Sequence, residues 1–345
     1  MLVSIIVLKK NKIEEIDMHR FKDILFVVTP DDNHSDATLE RALTLAEKNQ
    51  ARLTVVGLVD DFPDSIQLPS SSLPPDELKN KIVASYKNKL EKMVTLLRKT
   101  LDVRIKVLIG VSFMEITREV LRGGHDLVVK AAQIDDVGAV QIFGSDDMNL
   151  LRKCPCAILL IRSNTGKAYR HIVAAVDVDY SYLPQELQAR HLLNVEILEL
   201  ASSMALSESA EFDIVHAWRA AGESMMQGGF VRSSDEEVAE HVEEVRQQNI
   251  KKMDSLVDEI STKLGKEAIE YVKPIKHILK GFPRKVIPEY VNNIKADLVV
   301  MGTVGRTGVP GFTMGNTAET ILNNINCSVL AIKPKGFKTP ITLED

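Results

Sequence analysis

The sequence predicts an α/β protein of two tandem domains, each a parallel sheet with helices on both faces. Three observations support this: the length of 345 residues, an internal duplication, and short apolar runs that alternate with longer amphipathic stretches. At about 100–200 residues per domain, the chain is long enough for two domains with their own cores. Hydrophobic residues make up 45% of the chain and charged residues 26%, which is typical of globular proteins.

The duplication consists of identities at one constant offset. The run Asp-Leu-Val-Val at 126–129 recurs at 297–300, and the same shift relates Gly144 to Gly315 and Cys156 to Cys327. The two copies are offset by 171 residues. A repeat of this length indicates two copies of a domain rather than a solenoid, whose units are about 20–50 residues long.

The apolar runs predict five strands in each half. Their near-continuous hydrophobicity is typical of parallel strands that are covered on both faces. We expect strands at 24–29, 52–58, 103–109, 126–130 and 157–162 in the first half, and at 171–177, 212–217, 270–276, 297–301 and 328–333 in the second.

Amphipathic stretches predict the helices between these strands. In the second half, Ser234 to Glu237 form a capping box, and an apolar stripe runs from Val238 to Leu264. A similar stripe runs from Ile82 to Leu97 in the first half. Both are interpreted as core-facing surfaces. The second half also carries an insertion at 180–193, directly after its first strand, beside the end of the sheet where such folds bind ligands.

Composition excludes several classes of function. A net charge of -5 with His neutral and an aromatic content of 5% argue against nucleic-acid binding. No run approaches the roughly 20 apolar residues of a membrane helix. The short run Leu2–Leu8 precedes its lysines, which is the reverse of a signal peptide. We expect a cytoplasmic protein whose residues 1–18 are a flexible lead-in.

Three cysteines do not make a disulfide framework. Cys154 and Cys156 have the wrong spacing for a redox CxxC motif or a zinc knuckle. We interpret them, with Cys327, as small apolar residues near strands in a reducing compartment.

A glycine-rich loop follows the fourth strand of the second half. It holds Gly302, Gly305 and Gly315 and opens into a helix at Asn316-Thr317. Glycines after a strand let backbone N–H groups approach an anion, and Arg306 can neutralise a phosphate. The structural alternative is a glycine-rich turn without a ligand, since the segment is neither a Walker A loop nor GxGxxG.

The spacing of these glycines resembles the G-2x-G-9x-G signature of the universal stress protein family. The first strand ending at Asp177, the Gly281-Phe282-Pro283 turn and the Asn326-Cys327 approach to the last strand are similar as well. The resemblance spans residues 19 to 335 and is strongest to the tandem, UspE-type members.

This resemblance implies a definite architecture. Each half would be a Rossmann-like (adenine nucleotide alpha hydrolase-like) domain, with five parallel strands in the order 3-2-1-4-5. The domains would span 19–163 and 168–335, followed by a tail at 336–345. The two halves would form an intramolecular pseudo-dimer, and a further homodimer stays open.

The resemblance also implies an ATP site in the second domain only, with Mg²⁺ accompanying the nucleotide. Asp177 would accept a hydrogen bond from the adenine amino group, and Ala217 would face the base. Ribose and phosphates would be held by the backbone N–H groups of Gly302, Gly305, Gly315, Asn316 and Thr317. Two residues depart from the family pattern: Val304 stands where a basic residue is common, and Asp179 carries a charge that repels phosphate.

The first half has lost the loop. Ala131 and Ile134 stand in place of Gly302 and Gly305, and Asp135-Asp136 follow where Arg306-Thr307 stand in the other copy. Thr29 replaces the aspartate of the first strand. Carboxylates repel phosphate, so we predict that this half does not bind ATP.

Few other groups suggest chemistry. We expect Lys130 to pair with a nearby carboxylate such as Asp135 or Asp136, and the alternative is a reactive lysine at the end of a strand. His216 and Trp218 fit a pocket wall and a packed core equally well. We find no metal-ligand cluster and no catalytic triad.

The first hypothesis is therefore a nucleotide-responsive stress protein with an unidentified protein partner and at most slow ATP hydrolysis or autophosphorylation. The alternative is a binding module for a non-ATP, hydrophobic or nucleotide-linked metabolite. An adenylating enzyme is disfavoured, because the pyrophosphate loop expected after the first strand is absent from both halves.

Overall fold

The computed structural model describes residues 21–29, 35–61, 74–95, 101–137, 140–162, 168–179, 184–228, 233–304 and 314–343. The predicted lead-in at 1–18 and the segment 163–167 between the halves lie outside these ranges. The described chain divides into two compact units. Residues 21–162 with 338–343 form the first unit, and residues 168–304 with 314–337 form the second.

The first unit contains seven strands and four helices among its described residues. The strands are β1 (Asp23–Val28), β2 (Arg52–Val59), β3 (Val103–Ile109), β4 (Leu127–Ala131), β5 (Ile134–Val137), β6 (Val140–Phe143) and β7 (Ala157–Ile161). The helices are α1 (Ser35–Asn49), α2 (Pro75–Val94), α3 (Ser112–Gly123) and α4 (Ser145–Lys153).

The second unit contains five strands and six helices within the described ranges. The strands are β8 (His171–Ala175), β9 (Glu211–Trp218), β10 (Ile275–Lys280), β11 (Leu298–Gly302) and β12 (Ser328–Ile332). The helices are α5 (Pro184–Glu208), α6 (Glu223–Gln227), α7 (Asp235–Leu264), α8 (Lys266–Val272), α9 (Pro283–Asn293) and α10 (Asn316–Leu322).

Both units build the same parallel sheet. The pairings give the order β3-β2-β1-β4-β7 in the first unit and β10-β9-β8-β11-β12 in the second. Numbered within each half, and with the β5–β6 hairpin set aside, this is the order 3-2-1-4-5 that the family resemblance implies. The first unit adds an antiparallel hairpin, β5–β6, where the second has its glycine loop; the sequence did not predict it.

The strands lie in the core. Ile24 to Val27 in β1 and Leu298 to Val300 in β11 are fully buried, as expected for strands covered on both faces. In the second unit α5 packs against α7, and α9 packs against α10. Right-handed crossovers place these two pairs on opposite faces of the sheet.

The repeated Asp-Leu-Val-Val motif has a structural role. Asp126 accepts hydrogen bonds from the backbone N–H groups of Lys22 and Asp23, at 2.7 and 3.1 Å. Asp297 does the same for Arg170 and His171, at 2.7 and 3.0 Å. In each unit this aspartate ties the start of the fourth main strand to the start of the first.

One expectation on local structure is corrected. The strand predicted at 270–276 is wrong, because α8 extends to Val272 and β10 starts at Ile275, after Pro274. Proline lacks the N–H that a strand ladder needs, so the strand starts beyond it. The predicted insertion at 180–193 is helical from Pro184 onward, where it forms the first part of α5, a helix of 25 residues against the 15 of α1 in the first unit.

The capping box of α7 is confirmed. Glu237 N–H donates to the Ser234 hydroxyl, and the Glu237 carboxylate accepts from Ser234 N–H. The apolar stripe from Val238 to Leu264 faces the core, as predicted. The described helices include none that is long and apolar enough to cross a membrane.

Candidate functional site

The carboxyl ends of three neighbouring strands carry most of the predicted site residues. Asp177 follows β8, Ala217 lies near the end of β9, and Gly302 ends β11. The strand β8 pairs with both β9 and β11, so it is the place where the strand order reverses. Ligands of open α/β sheets bind at such a point.

The start of α10 is tied to the same edge. The Gly315 N–H donates to the carbonyl of Thr303, the residue after β11, at 3.1 Å. Asn316 and Thr317 begin α10 and are exposed. The structure therefore brings six of the eight predicted site residues to one edge of the sheet, and the other two, Gly305 and Arg306, lie outside the described residues.

Asp177 is held by groups from α5 and from its own turn. Its carboxylate accepts from the Arg190 guanidinium at 2.8 Å and from Asp179 N–H at 3.1 Å. The side chain of Asn194 bonds both backbone groups of Asp177, at 3.0 and 2.7 Å. The Asp177 side chain is still 42% exposed, and each carboxylate oxygen accepts more than one hydrogen bond. It can therefore accept a further donor from a ligand.

Arg190 was missed in the sequence, because nothing local to a helix shows which distant carboxylate an arginine meets. Its side chain is 17% exposed and directly contacts Asp177, the predicted base-binding aspartate. The guanidinium offsets part of the negative charge that Asp177 and Asp179 bring to this edge.

His216 and Trp218 belong to the core. Both side chains are buried, and His216 Nε2 lies 3.1 Å from the Asn249 side-chain oxygen. Because that amide donates its NH₂ to Val245, the imidazole donates from Nε2. Burial lowers the pKa of His216, and the nearby Asp177 carboxylate only partly opposes that shift. A buried, neutral imidazole with bonded nitrogens supports the core interpretation.

Packing against Leu193 explains the glycine at position 302. A Cβ on Gly302 would lie 2.6 Å from Leu193 Cδ2 on α5, closer than atoms in a packed core approach each other. This contact favours glycine at the first position of the loop whether or not a ligand binds, because the Leu193 side chain would have to shift to admit a methyl group.

The glycine at position 315 has no such explanation. Its backbone is extended, with φ -65° and ψ 138°, a conformation open to any residue. No atom of the described residues lies within 4 Å of where its Cβ would be. As far as the described residues go, the space beside this position at the start of α10 is open.

A buried cation supports the base of the loop. Lys333, just after β12, donates from Nζ to the Thr303 hydroxyl at 2.9 Å, and both side chains are buried. This residue was not predicted, although the two halves carry a cation at the same position. Arg162 stands at the same position of the first half and is also buried.

The first unit fills the corresponding place with its own charges. Lys130 on β4 pairs with Asp147 on α4 at 2.7 Å, and both side chains are buried. The expected pairing with a nearby carboxylate is confirmed, but the partner is Asp147 and not Asp135 or Asp136. Asp147 also accepts from Gln133 N–H at 2.6 Å, so a protein carboxylate occupies a backbone donor at the start of the hairpin. Burial raises the pKa of the Asp147 carboxyl, and the Lys130 ammonium opposes that shift.

The described residues show no preformed metal site. No group of three or more His, Cys, Asp or Glu side chains is placed to hold an ion in the part of the chain that the structure describes.

Comparison with known proteins identifies the family. The model of the universal stress protein family matches residues 20–162 and again 168–333. The chain belongs to the universal stress protein family.

Two curated members of this family are similar over almost their whole length. The Universal stress protein E homolog of Haemophilus influenzae is 29% identical over 330 residues, which is 91% of this chain and 98% of that protein. Universal stress protein E of Escherichia coli K12 is 27% identical over 333 residues, 95% of this chain and 99% of that protein. They support a tandem, UspE-type universal stress protein.

Solved structures support the fold. A universal stress protein from Pseudomonas aeruginosa UCBPP-PA14 superposes with a TM-score of 0.62 at 23% identity, over 91% of this chain and 94% of that one. A universal stress protein from Archaeoglobus fulgidus gives 0.58 at 14% identity, over 90% and 98% of the two chains. At these identities the likeness concerns the universal stress protein fold alone.

Proposed function

We propose that the second unit binds ATP or a related adenine nucleotide, with Mg²⁺, and that binding changes how this stress-response protein meets a partner in the cytoplasm. The fit of the nucleotide rests on the edge of the sheet described above. Asp177 offers a carboxylate acceptor for the base, and the N–H groups of Asn316 and Thr317 at the start of α10 offer backbone donors for phosphate. The Gly315 N–H already donates to the Thr303 carbonyl.

The observation that carries the proposal is the contrast between two glycines of the signature. Gly302 is explained by its contact with Leu193. Gly315 has an ordinary conformation and open space where its Cβ would be, among the described residues. A ligand that comes close to the backbone at Gly315 accounts for a glycine that packing among the described residues does not explain.

A binding role is favoured over fast catalysis. Among the described residues at this edge, His216 is buried and bonded, and Asp177 is paired with Arg190. Neither is poised as a general base. We expect any ATP hydrolysis or autophosphorylation to fall far below the roughly 1–10³ per second of ordinary enzymes.

Isothermal calorimetry with Mg-ATP on nucleotide-stripped protein tests the proposal. We expect one site per chain, and loss of at least about tenfold in affinity for Gly315→Val, since its side chain fills space the fold leaves open. Gly144→Ala, at the matching position of the first unit, is the control and should bind like the parent. No heat at millimolar ATP with the fold intact would reject nucleotide binding.

One observation favours a second candidate. Arg190 already holds Asp177, and Leu193 covers one side of Gly302, which narrows the space for a base and ribose. A non-ATP metabolite, hydrophobic or nucleotide-linked, is then the alternative ligand. Native mass spectrometry of freshly purified protein would show its extra mass, whereas the bare chain mass would count against it.

A further inference from the structure

The end of α4 brings two thiols into contact. Cys154 follows the last residue of α4 and donates its N–H to Leu150. After Pro155 the chain reaches Cys156, which directly precedes β7. The two Sγ atoms lie 3.6 Å apart, which is van der Waals contact for sulfur. Neither thiol takes part in the proposed nucleotide site.

The pair does not suit a metal ion. A structural thiolate site is tetrahedral and needs four ligands, and the described residues contain no cluster of three or more candidate ligands. Two thiols in contact are, however, only about 1.5 Å farther apart than the roughly 2.05 Å of a disulfide bond.

We infer that Cys154 and Cys156 form a modification site, at which a low-molecular-weight disulfide oxidises the two thiols to an intramolecular disulfide. The Cys156 thiolate attacks one sulfur of the small disulfide and expels the other half as a thiolate. Cys154 then gives up its proton and attacks Cys156 Sγ, and the second half leaves as a thiol. In total, two protein thiols and one small disulfide become one protein disulfide and two small thiols.

The different exposure of the two residues assigns their roles. Cys156 is partly exposed and Cys154 is fully buried. The first step needs access for the reagent and falls to Cys156, whereas the second step is intramolecular and needs none.

The surroundings of Cys156 set the rate. Its hydrogen bond with Cys154, burial and the nearby Asp126 carboxylate raise the pKa of the Cys156 thiol. Because the thiolate is the attacking species, we expect slow oxidation near neutral pH and faster oxidation as the pH rises.

The second unit provides an internal control. Cys327 stands where Cys156 stands in the first half, but Ile325 occupies the position of Cys154. Cys327 is also buried. It therefore has no thiol at the matching place with which to close, and we expect it to stay reduced.

Oxidised glutathione is the probe. The reduced, folded protein is incubated with it across a range of pH, quenched with an alkylating reagent and digested with trypsin. Cleavage after Lys153 and Arg162 yields one peptide with Cys154 and Cys156, separate from Cys327. We expect that peptide to lose two hydrogen masses and to take no alkyl group, with two glutathiones released per chain and Cys327 alkylated.

Variants separate the two steps. Cys154→Ala should stop at a mixed disulfide between Cys156 and glutathione, and Cys327→Ser should oxidise like the parent. Circular dichroism checks that each variant is folded. Full alkylation of both thiols after incubation, or a lasting glutathione adduct on Cys156 in the parent protein, would overturn the inference.

Discussion

The two units share one fold but differ in the residues around the end of the fourth main strand. In the first unit Lys130 and Asp147 form a buried ion pair there, and the β5–β6 hairpin follows β4. In the second unit the same two positions hold Met301 and Ala318, and space is open beside Gly315 among the described residues. The first unit places its own charged side chains at this position, whereas the described residues of the second unit leave room there for a charged ligand.

This difference shows that the sheet does not depend on the loop. Strand order and the aspartate that joins the first and fourth main strands are the same in both units. Residues beyond the ends of the strands could therefore change without loss of the core, which agrees with the general separation of fold from site.

The largest expected effect comes from breaking the buried pair of the first unit. Either Lys130→Met or Asp147→Ala alone leaves a buried charge without its counter-ion, which should cost about 3–5 kcal/mol of unfolding free energy. The double variant installs the two residues that the second unit uses and should lie close to the parent protein. Urea unfolding followed by circular dichroism measures all three.

If the unfolding free energies lost in the two single variants add up in the double variant, the contrast between the two units is not supported. Additivity would mean that the two side chains stabilise the unit separately and that their pairing is incidental.

A smaller effect is expected where a glycine allows close packing. Gly302→Ala places a methyl group against Leu193 and should destabilise the second unit by about 1–3 kcal/mol. Leu193→Ala should cost less in that background than alone, because it removes the clash. Unfolding followed by the fluorescence of Trp218, the one tryptophan of the chain, reports on this unit. Equal costs of Leu193→Ala in both backgrounds would show that Leu193 is not what requires the glycine.

The matched change in the first unit is Ala131→Gly. A strand glycine costs about 0.5–1 kcal/mol through backbone entropy. A gain in stability there would show that the methyl group of Ala131 is strained, and the contrast between the two units would disappear.

How much of this could be read from the sequence depends on the range of the interactions. The parallel strands were predictable because burial on both faces leaves continuous apolar runs, and the capping box because its partners are three residues apart. The Asp147 partner of Lys130 and the Arg190 partner of Asp177 were not, because these pairs join separate elements and leave no local pattern. The strand at 270–276 failed because apolar residues of a short helix resemble a strand.

The site was predictable in position but not in detail. The spacing of the glycines located the edge of the sheet through the family resemblance. Only the packing shows that Gly302 and Gly315 differ in their reason for being glycine, since that depends on Leu193 of a distant helix.

The smallest expected effect concerns acid stability, where the two units differ between their third main strand and the helix that follows it. In the first unit Lys106 Nζ lies 2.5 Å from the carboxylate of Glu119, and His125 Nε2 lies 3.5 Å from it. The second unit has His277 and Tyr290 at the matching positions, with the Tyr290 hydroxyl 2.7 Å from His277 Nε2. Burial pushes the pKa of Glu119 up, but the nearby His125 imidazole and the hydrogen bond from Lys106 outweigh it and leave the pKa below its usual value.

A carboxyl group whose pKa is lowered by folding stabilises the protein above its unfolded pKa, and that stability is lost as the pH falls through the folded value. Glu119→Gln should therefore cost about 1 kcal/mol at pH 7, since Lys106 is half exposed and its charge is screened. The difference from the parent should shrink below about pH 4, near the ordinary pKa of glutamate. Urea unfolding at pH 3, 5 and 7 measures it.

Tyr290→Phe is the matched control. Burial and the nearby Asp213 raise the pKa of that phenol, so it stays protonated throughout and should add no slope. A constant cost of Glu119→Gln at all three pH values would assign the role of Glu119 to packing rather than to its charge.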